Sequence, residues 1–423
     1  MAHQTFLEKF ETSVNDDWSF SENRSTDNLS HGYHRYPAKF VPQLVKKLIE
    51  TYTVEGDKIV DVFAGCGTTL VESKVHGRRS EGVDINPVAQ LITRAKINAL
   101  DPEVLKIQYS ELQSLIEKYD HRKPLNKARH ARIDYWFRHW EKKKISFLYE
   151  TILTLRDEQF RDFFLCALSN ILKNCSRWLQ TSTKPQIDPN KTIHEPFTSF
   201  ASQVNRMTKK NKQFYDELVK NNAINIECEI KLADARATKI RSSSANAIIT
   251  SPPYVTSYEY ADIHQLTGYW FEYISDITSF RRNFIGTFFS NNKKTESSVP
   301  IAKEIIDQLT PISKKSAGEV ANYFKDMFSV SKEMHRILKP GGVVCLVVGN
   351  TTMKGVKIQS AEAFAQMLSM QGLEIESVIK RKIPFKLIPT IRDEKTGKFT
   401  TLNSINKKLV YPEEFIIIAR KKY

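Results

Sequence analysis

Thr250-Ser251-Pro252-Pro253-Tyr254 sets a hydroxyl, two rigid carbonyls and an aromatic ring directly after the apolar run Ala247-Ile248-Ile249. The run reads as a short buried strand, and two consecutive prolines end it because neither can donate to a sheet ladder. The pentapeptide therefore stands at the carboxyl end of a strand, the side of an open α/β sheet where ligands bind. Each proline fixes φ, so the carbonyls are aimed before anything binds. Ser251 Oγ and the Pro252 carbonyl can accept hydrogen bonds from an NH₂ group, Pro253 stiffens the exit, and Tyr254 can stack on a flat ring. A proline-proline strand exit capped by tyrosine is also an ordinary structural ending, so the motif needs company elsewhere in the chain.

Two further stretches supply it. Residues 58–70 run from a buried strand, Lys58-Ile-Val-Asp-Val62, through Phe63-Ala64-Gly65-Cys66-Gly67 into a helix starting near Thr68. Gly65 and Gly67 allow close backbone approach to a ligand, and the helix start offers free N–H groups. Glu81-Gly-Val-Asp84-Ile85-Asn86-Pro87 then reads as a second strand ending in an acid. An acid there suits the two hydroxyls of a ribose. Glycine turn and acid together favour a nucleoside-type cofactor over a merely tight turn.

With these residues in register the chain resembles the S-adenosylmethionine-dependent amino-methyltransferases of DNA, which share an F-x-G-x-G loop, an acid ending the second strand, and a [S/N/D]-P-P-[Y/F] motif. The resemblance covers about 31–100 and 226–423. Serine at the first motif position, with threonine before it, looks like the cytosine-N4 branch; adenine-N6 enzymes more often carry Asp or Asn there. The resemblance implies that Ser251, Pro252, Pro253 and Tyr254 are catalytic. It also implies that the cofactor meets Tyr36, Pro37, Lys39 and Phe40 before the loop, then Phe63 to Thr68 (Phe63, Ala64, Gly65, Cys66, Gly67, Thr68), Asp84, Ile85, Asn86 and Thr250. Ile230-Lys-Leu-Ala-Asp-Ala235 looks like the third strand, and Asp234 with Ala235 falls where the family binds the cofactor's adenine. Leu338-Lys-Pro-Gly-Gly342 before the strand 343–348 is a further similarity.

The 423 residues suffice for a large core. A formal net charge of +15 favours a polyanionic partner. Five cysteines without a C-x-x-C pair read as reduced thiols, not a disulfide frame or metal site. Met-Ala-His-Gln-Thr has no leader-like character and no apolar run is long enough to span a membrane, so an intracellular protein is expected, and the resemblance implies a cytoplasmic prokaryotic one.

Residues 1–30 read as an arm draped on the surface. Apolar spacing gives a helix from Val41 to Tyr52 and others over 69–76 and 87–98. From 101 to 225 the α/β rhythm disappears into a helical insertion with one amphipathic run from Ile145 to Trp178. Basic and aromatic residues interleave in 132–140, a pattern suited to phosphate contact and stacking, and a further basic run follows in 206–212. This insertion is the candidate target-recognition region. Arg132, Arg138, Arg177, Lys184, Arg206, Lys209 and Lys210, with Arg281 and Arg282 beyond it, are the candidate DNA contacts. A helical bundle with solvated lysines gives the same composition. Residues 258–270 read as a helix beside the site, in which Asp262 and His264 are taken as packing and capping groups because the chemistry needs no strong base. Residues 281–318 read as a polar loop, 359–371 as a helix, and 374–380 and 415–418 as the last strands.

The expected fold is a Rossmann-like α/β methyltransferase sheet of seven strands, its last strand antiparallel, with a helical insertion between the second and third. The expected function is site-specific DNA methylation at cytosine N4 in duplex DNA, using S-adenosylmethionine and no metal, beside a separately encoded restriction endonuclease. Open alternatives are the same chemistry on adenine N6, a methyltransferase for RNA or protein amines, and a non-catalytic DNA-binding protein with a decayed site.

Overall fold

The computed structural model describes residues 7–22, 25–37, 39–124, 130–182, 184–255, 260–287, 297–383, 391–393, 407–409 and 413–423. In chain order, α1 (Pro42–Tyr52) leads to β1 (Lys58–Asp61), α2 (Thr68–Val75), β2 (Arg79–Asp84) and α3 (Pro87–Ile97). The insertion holds α4 (Pro102–Ile116), α5 (Ala131–Trp136), α6 (His139–Leu153), α7 (Glu158–Ile171) and α8 (Pro196–Lys220). Then come β3 (Cys228–Leu232), β4 (Ala245–Thr250), α9 (Tyr260–Ile263), α10 (Gln265–Trp270), α11 (Ile277–Arg282), α12 (Pro300–Leu309), α13 (Lys314–Ile337) and β5 (Leu338–Val348). The chain closes with β6 (Thr351–Met353), β7 (Val356–Ile358), α14 (Ser360–Met370), β8 (Leu373–Lys382), β9 (Ile391–Asp393), β10 (Lys407–Leu409) and β11 (Glu413–Lys421).

Seven strands form one sheet in the order β3-β2-β1-β4-β5-β11-β8. The first five run parallel, and β11 lies antiparallel to both neighbours. Successive strand residues point to opposite faces. Val60, Ile248, Val344 and Leu346 therefore enter the core under α12, α13 and α14, while Ile59, Ala247, Ile249, Val343 and Cys345 pack under α1 on the other face. Burial on both faces is why these strands are continuous apolar runs rather than alternating ones.

The insertion shares a core with the sheet's helical cover. Val88, Leu91 and Ile92 of α3 pack with Leu105, Phe163, Phe164, Phe200 and Met207 of the inserted helices. Two polar locks fix its orientation. Arg94 holds Asp162 through two hydrogen bonds of 2.6 and 2.9 Å. Asn211 accepts from Tyr33 Oη (3.2 Å) and the Leu100 N–H (3.0 Å), and donates to the Leu100 carbonyl (2.7 Å).

Several expectations are corrected. The run from Ile145 to Trp178 is two helices, because Asp157 caps a new N-terminus by accepting from the Gln159 and Phe160 N–H groups. The N-terminal arm is not draped on the surface. Phe10 bridges Val378, the Asn15 N–H reaches the Lys380 carbonyl, and Trp18 and His31 are buried. The stretch 281–318 is not a loop throughout, since α12 sends Ala302, Ile305, Ile306 and Leu309 into the main core at helical spacing. Its segment Asn291–Lys294 lies outside the described residues. The 258–270 helix is two short ones, α9 and α10.

Trp136, within the basic-aromatic run 132–140 read as suited to nucleic-acid contact, stacks on Trp178 at 5.0 Å inside the insertion's core. Trp136→Ala is therefore expected to cost about 3–5 kcal/mol of stability, the usual loss for a buried tryptophan, as measured by denaturant unfolding. Full stability with weakened DNA binding would contradict this placement.

Candidate active site

A cavity of about 980 Å³, counted to its solvent-open mouth, lies at the carboxyl ends of β1, β2, β3 and β4. Its size fits a nucleoside-bearing ligand. Gly65 and Gly67 have φ of +52° and +79°, in the region L side chains avoid. A Cβ on Gly67 would lie 2.7 Å from Thr93 Cγ2. The turn thus folds tightly enough to deliver α2's first N–H groups beneath the cavity floor of Phe63, Ala64, Gly65, Cys66 and Thr68.

Asp84 ends β2 and lines the cavity together with Ile85. Its carboxylate accepts from the Gly65 N–H (2.9 Å) and the Asn86 N–H (2.8 Å). Burial pushes its pKa up to about 6, and nearby Asp61 adds to the rise against the pull of the backbone donors. Asp61 is itself 2 % exposed and lines the same cavity. It accepts from Thr250 Oγ1 (2.6 Å) and the Phe63 N–H (3.0 Å), and burial holds its pKa above the ordinary carboxylate value.

Tyr36 lies across from this floor, stacked on Tyr260 at 6.0 Å and against His264 at 5.0 Å. Phe40 lines the wall. Lys39 lines it too, but its ammonium turns to the arm, donating to the Thr26 carbonyl (2.6 Å) and Asp27 (2.8 Å). Asp234 and Ala235 form the far wall. Arg236 grips both Asp234 oxygens, at 2.6 to 3.0 Å, and also holds Asp326.

Ser251 and Pro253 reach the cavity from the end of β4. The Pro253 carbonyl accepts from Tyr323 Oη at 2.7 Å. Tyr254 stands beyond the cavity, its ring about 3.5 Å from where a Cβ on Gly349 would lie and its hydroxyl donating to Glu414 at 3.0 Å. Pro37, Gly67, Asn86, Thr250 and Pro252 also lie outside the lining. Asn86 caps α3 and bonds His264 Nδ1 (2.7 Å), and Thr250 serves Asp61. Burial keeps His264 neutral, down at about 4, while Asp262 is paired with Arg281, so these two form no acid-base couple.

Sequence reasoning missed Asp61, Tyr260 and the segment Asn283–Ile285 with Thr287, all of which line the cavity. Asp61 had a signal, a charge inside an otherwise apolar strand. The 283–287 segment had none, being brought in by α11.

The basic candidates fall into two groups. The His130 ring stacks on Tyr269 of α10 at 4.3 Å, which seats α5 beside the α9–α10 wall. There Arg132 and Arg281 both act on Tyr269, and Arg138 and Arg282 are exposed nearby in sequence. Arg132 covers Tyr135 (4.7 Å), and Arg177 donates to the Asp134 and Tyr135 carbonyls at the end of α5. On α8, Arg206 bonds Gln203, Lys210 bonds the Asp27 carbonyl and Lys209 is exposed. Lys184 is exposed on its own loop.

A DNA methylase family model matches residues 3–95 and 245–423, on either side of the inserted helices. The type II methyltransferase M.MvaI of Kocuria varians is 27% identical over 99% of this chain and 97% of its own length, insertion included. The type II methyltransferase M.MjaII of Methanocaldococcus jannaschii is 24% identical over 65% of this chain and 67% of its own. A solved SAM-dependent methyltransferase from Methanosarcina mazei aligns over 92% of this chain and 99% of its own at 11% identity and a TM-score of 0.33. At that score it adds nothing to the topology already described.

The raised Asp84 carboxyl has a pH signature. Below the ordinary value of 3.8 it is protonated folded and unfolded; as pH rises through about 6 the folded chain must hold a charge it solvates poorly. Its contribution to stability is thus present at low pH and lost across that window. The Tm of Asp84→Asn relative to wild type is expected to climb from pH 4 to 6.5 and then level, and parallel curves would show an unperturbed carboxyl.

Proposed function

The chain belongs to the DNA methylase family, the amino-methyltransferases of restriction-modification type that use S-adenosylmethionine, and we propose that it methylates the exocyclic N4 amine of a cytosine flipped out of duplex DNA. The carrying observation is Ser251 at the carboxyl end of β4, on the same cavity as Asp84 and the glycine turn. The residues present fit the cofactor. Asp84 keeps lone pairs for two ribose hydroxyls after its two backbone bonds, Asp234 can accept from the adenine amine, and Tyr36 and Phe40 offer apolar walls. S-adenosylmethionine bound there would supply an electrophilic sulfonium methyl, its S–CH3 bond breaking to leave a thioether, for direct transfer to an amine.

What the chain must do is prepare the amine. Its lone pair is delocalised into the base, so it is a weak nucleophile. Ser251 Oγ and the Pro252 carbonyl accept its two hydrogens, which raises electron density on nitrogen and fixes its line of approach. Pro-Pro rigidity and the Tyr323 bond to the Pro253 carbonyl keep these acceptors still. Cys66 sits on the cofactor floor, and direct transfer to nitrogen needs no thiol nucleophile.

In a duplex the target amine is buried in the stack, so the base must leave it and lie on an aromatic face, for which Tyr254 stands ready. Unstacking costs a few kcal/mol, which phosphate contacts by the basic insertion offset. Arg132, Arg138, Arg281 and Arg282 flank the α9–α10 wall, and Arg206, Lys209 and Lys210 extend the charge along α8. The region 101–225 thereby serves as target-recognition domain on the catalytic domain. Cytosine is favoured by Ser251 with Thr250 before it. A cytoplasmic enzyme paired with a separately encoded restriction endonuclease follows from this reading; no helix among the described residues is long and apolar enough to cross a membrane.

Labelled methyl transfer to unmethylated duplex DNA is expected to give N4-methylcytosine on nucleoside analysis; N6-methyladenine would overturn the base assignment, and no label in DNA the whole reading. Ser251→Ala is expected to keep cofactor affinity and lose about a hundredfold in kcat, as for a group acting in the transition state. Asp84→Ala is expected to lose cofactor binding in calorimetry, and unchanged affinity would remove Asp84 from the site.

A further inference from the structure

Resting on the reading that Tyr254 receives the flipped base, we propose that Glu414 is a positioning residue: it holds the Tyr254 ring by its hydroxyl, and Arg381 ties that holder to the N-terminal arm. Glu414 Oε2 accepts from Tyr254 Oη at 3.0 Å, and Glu414 Oε1 pairs with Arg381 Nε at 2.9 Å. The β11–β8 register sets Glu414 directly opposite Arg381, so the pair is built into the sheet. Arg381 is fully buried and donates through Nη1 to the Trp18 carbonyl at 2.7 Å. Next to it, the Lys382 N–H donates to Ser19 Oγ at 3.1 Å.

Two physical points favour a task beyond stability. A buried ion pair is often no more stabilising than the apolar residues that would fit in its place, yet this one sits beside the apolar stretch Phe415-Ile-Ile-Ile418 of β11. The second oxygen of its carboxylate is spent on the motif's aromatic residue. Burial also pushes the Tyr254 phenol well above its ordinary pKa, which keeps it a proton donor to the carboxylate at any working pH. Rotation of the ring is then limited from both sides, by Gly349 beneath it and by the hydroxyl anchor. A base arriving from the duplex meets a platform already oriented, so less ordering is left to the transition state.

The clean variant is Tyr254→Phe, which removes the anchor and leaves the Glu414–Arg381 pair intact. With full-length protein and unmethylated duplex DNA, it is expected to lower kcat about tenfold, the scale of one hydrogen bond to a charged group. Its Kd for S-adenosylmethionine should stay at the wild-type value, while its Tm falls modestly because a buried Glu414 oxygen loses its donor. Glu414→Gln is expected to reduce kcat similarly, and Tyr254→Phe/Glu414→Gln no further than the worse single change, because both remove one interaction. Wild-type kcat in Tyr254→Phe, with Tyr254→Ala inactive, would overturn the positioning role while leaving the stacking role in place. Wild-type kcat in Tyr254→Ala would instead remove Tyr254 from the reaction and the proposal with it. Fully additive losses in the double variant would also overturn it.

Discussion

One buried hydrogen bond, 2.6 Å from Thr250 Oγ1 to Asp61 Oδ1, joins the carboxyl ends of β1 and β4. The two strands are parallel neighbours, although 189 residues separate the bonded pair. Asp61 and its backbone partner at Phe63 open the glycine turn; Thr250 opens the proline loop. The distance between the cavity floor at Phe63–Cys66 and Ser251 on its other side is therefore set by the spacing of adjacent strands, about 4.8 Å, and by a bond shielded from water. Asp61 is a poor place for a charge, and the donors around it are what make an acceptor tolerable there.

Around that bond the site is braced from several sides by buried polar contacts. Asn86 caps α3 beside Asp84 and reaches back to His264, while Arg94, on the same helix, grips Asp162 of the insertion. Helix α3 is about 16 Å long at 1.5 Å per residue, so one helix runs from Asp84 at the cavity wall to the inserted helices. The insertion is thus packed onto the cavity-forming half of the sheet, despite interrupting it in sequence.

The parts of this arrangement legible in the sequence were those with short-range signatures. Gly65 and Gly67 announce a turn, two prolines announce a strand end, and Asp84 ends a strand, so the glycine turn and the cavity floor could be anticipated, whereas the strand order could not. What escaped depended on tertiary placement. Trp136 and Trp178 have the composition of a nucleic-acid surface and become a stacked core pair because α5 and the residues after α7 fold face to face. Tyr323 and Glu414 carried no local mark, since each acts on a residue far away in the chain; Arg236 bonds its near neighbour Asp234 but also reaches Asp326, 90 residues on. The break at Asp157 was missed because the apolar spacing on either side stays helical, and only the cap distinguishes one helix from two. The α12 pattern was present at full strength in Ala302, Ile305, Ile306 and Leu309, but the polar residues before it set the reading.

The seat of the N-terminal arm on β8 carries a consequence for biosynthesis. Phe10, Asn15 and Trp18 are translated more than 350 residues before the strand they bind, counted from the Phe10–Val378 bridge. On the ribosome Trp18 can already lie against Lys47 of α1, but Phe10 and Asn15 lack their partners on β8, and the edge of the sheet has not been made. Closure of the arm, β8 and β11 is then a late event of high sequence separation, slow by nature and exposed to mispairing while it waits. The catalytic half of the sheet, resting on β4 and β5, must tolerate that interval with one flank open.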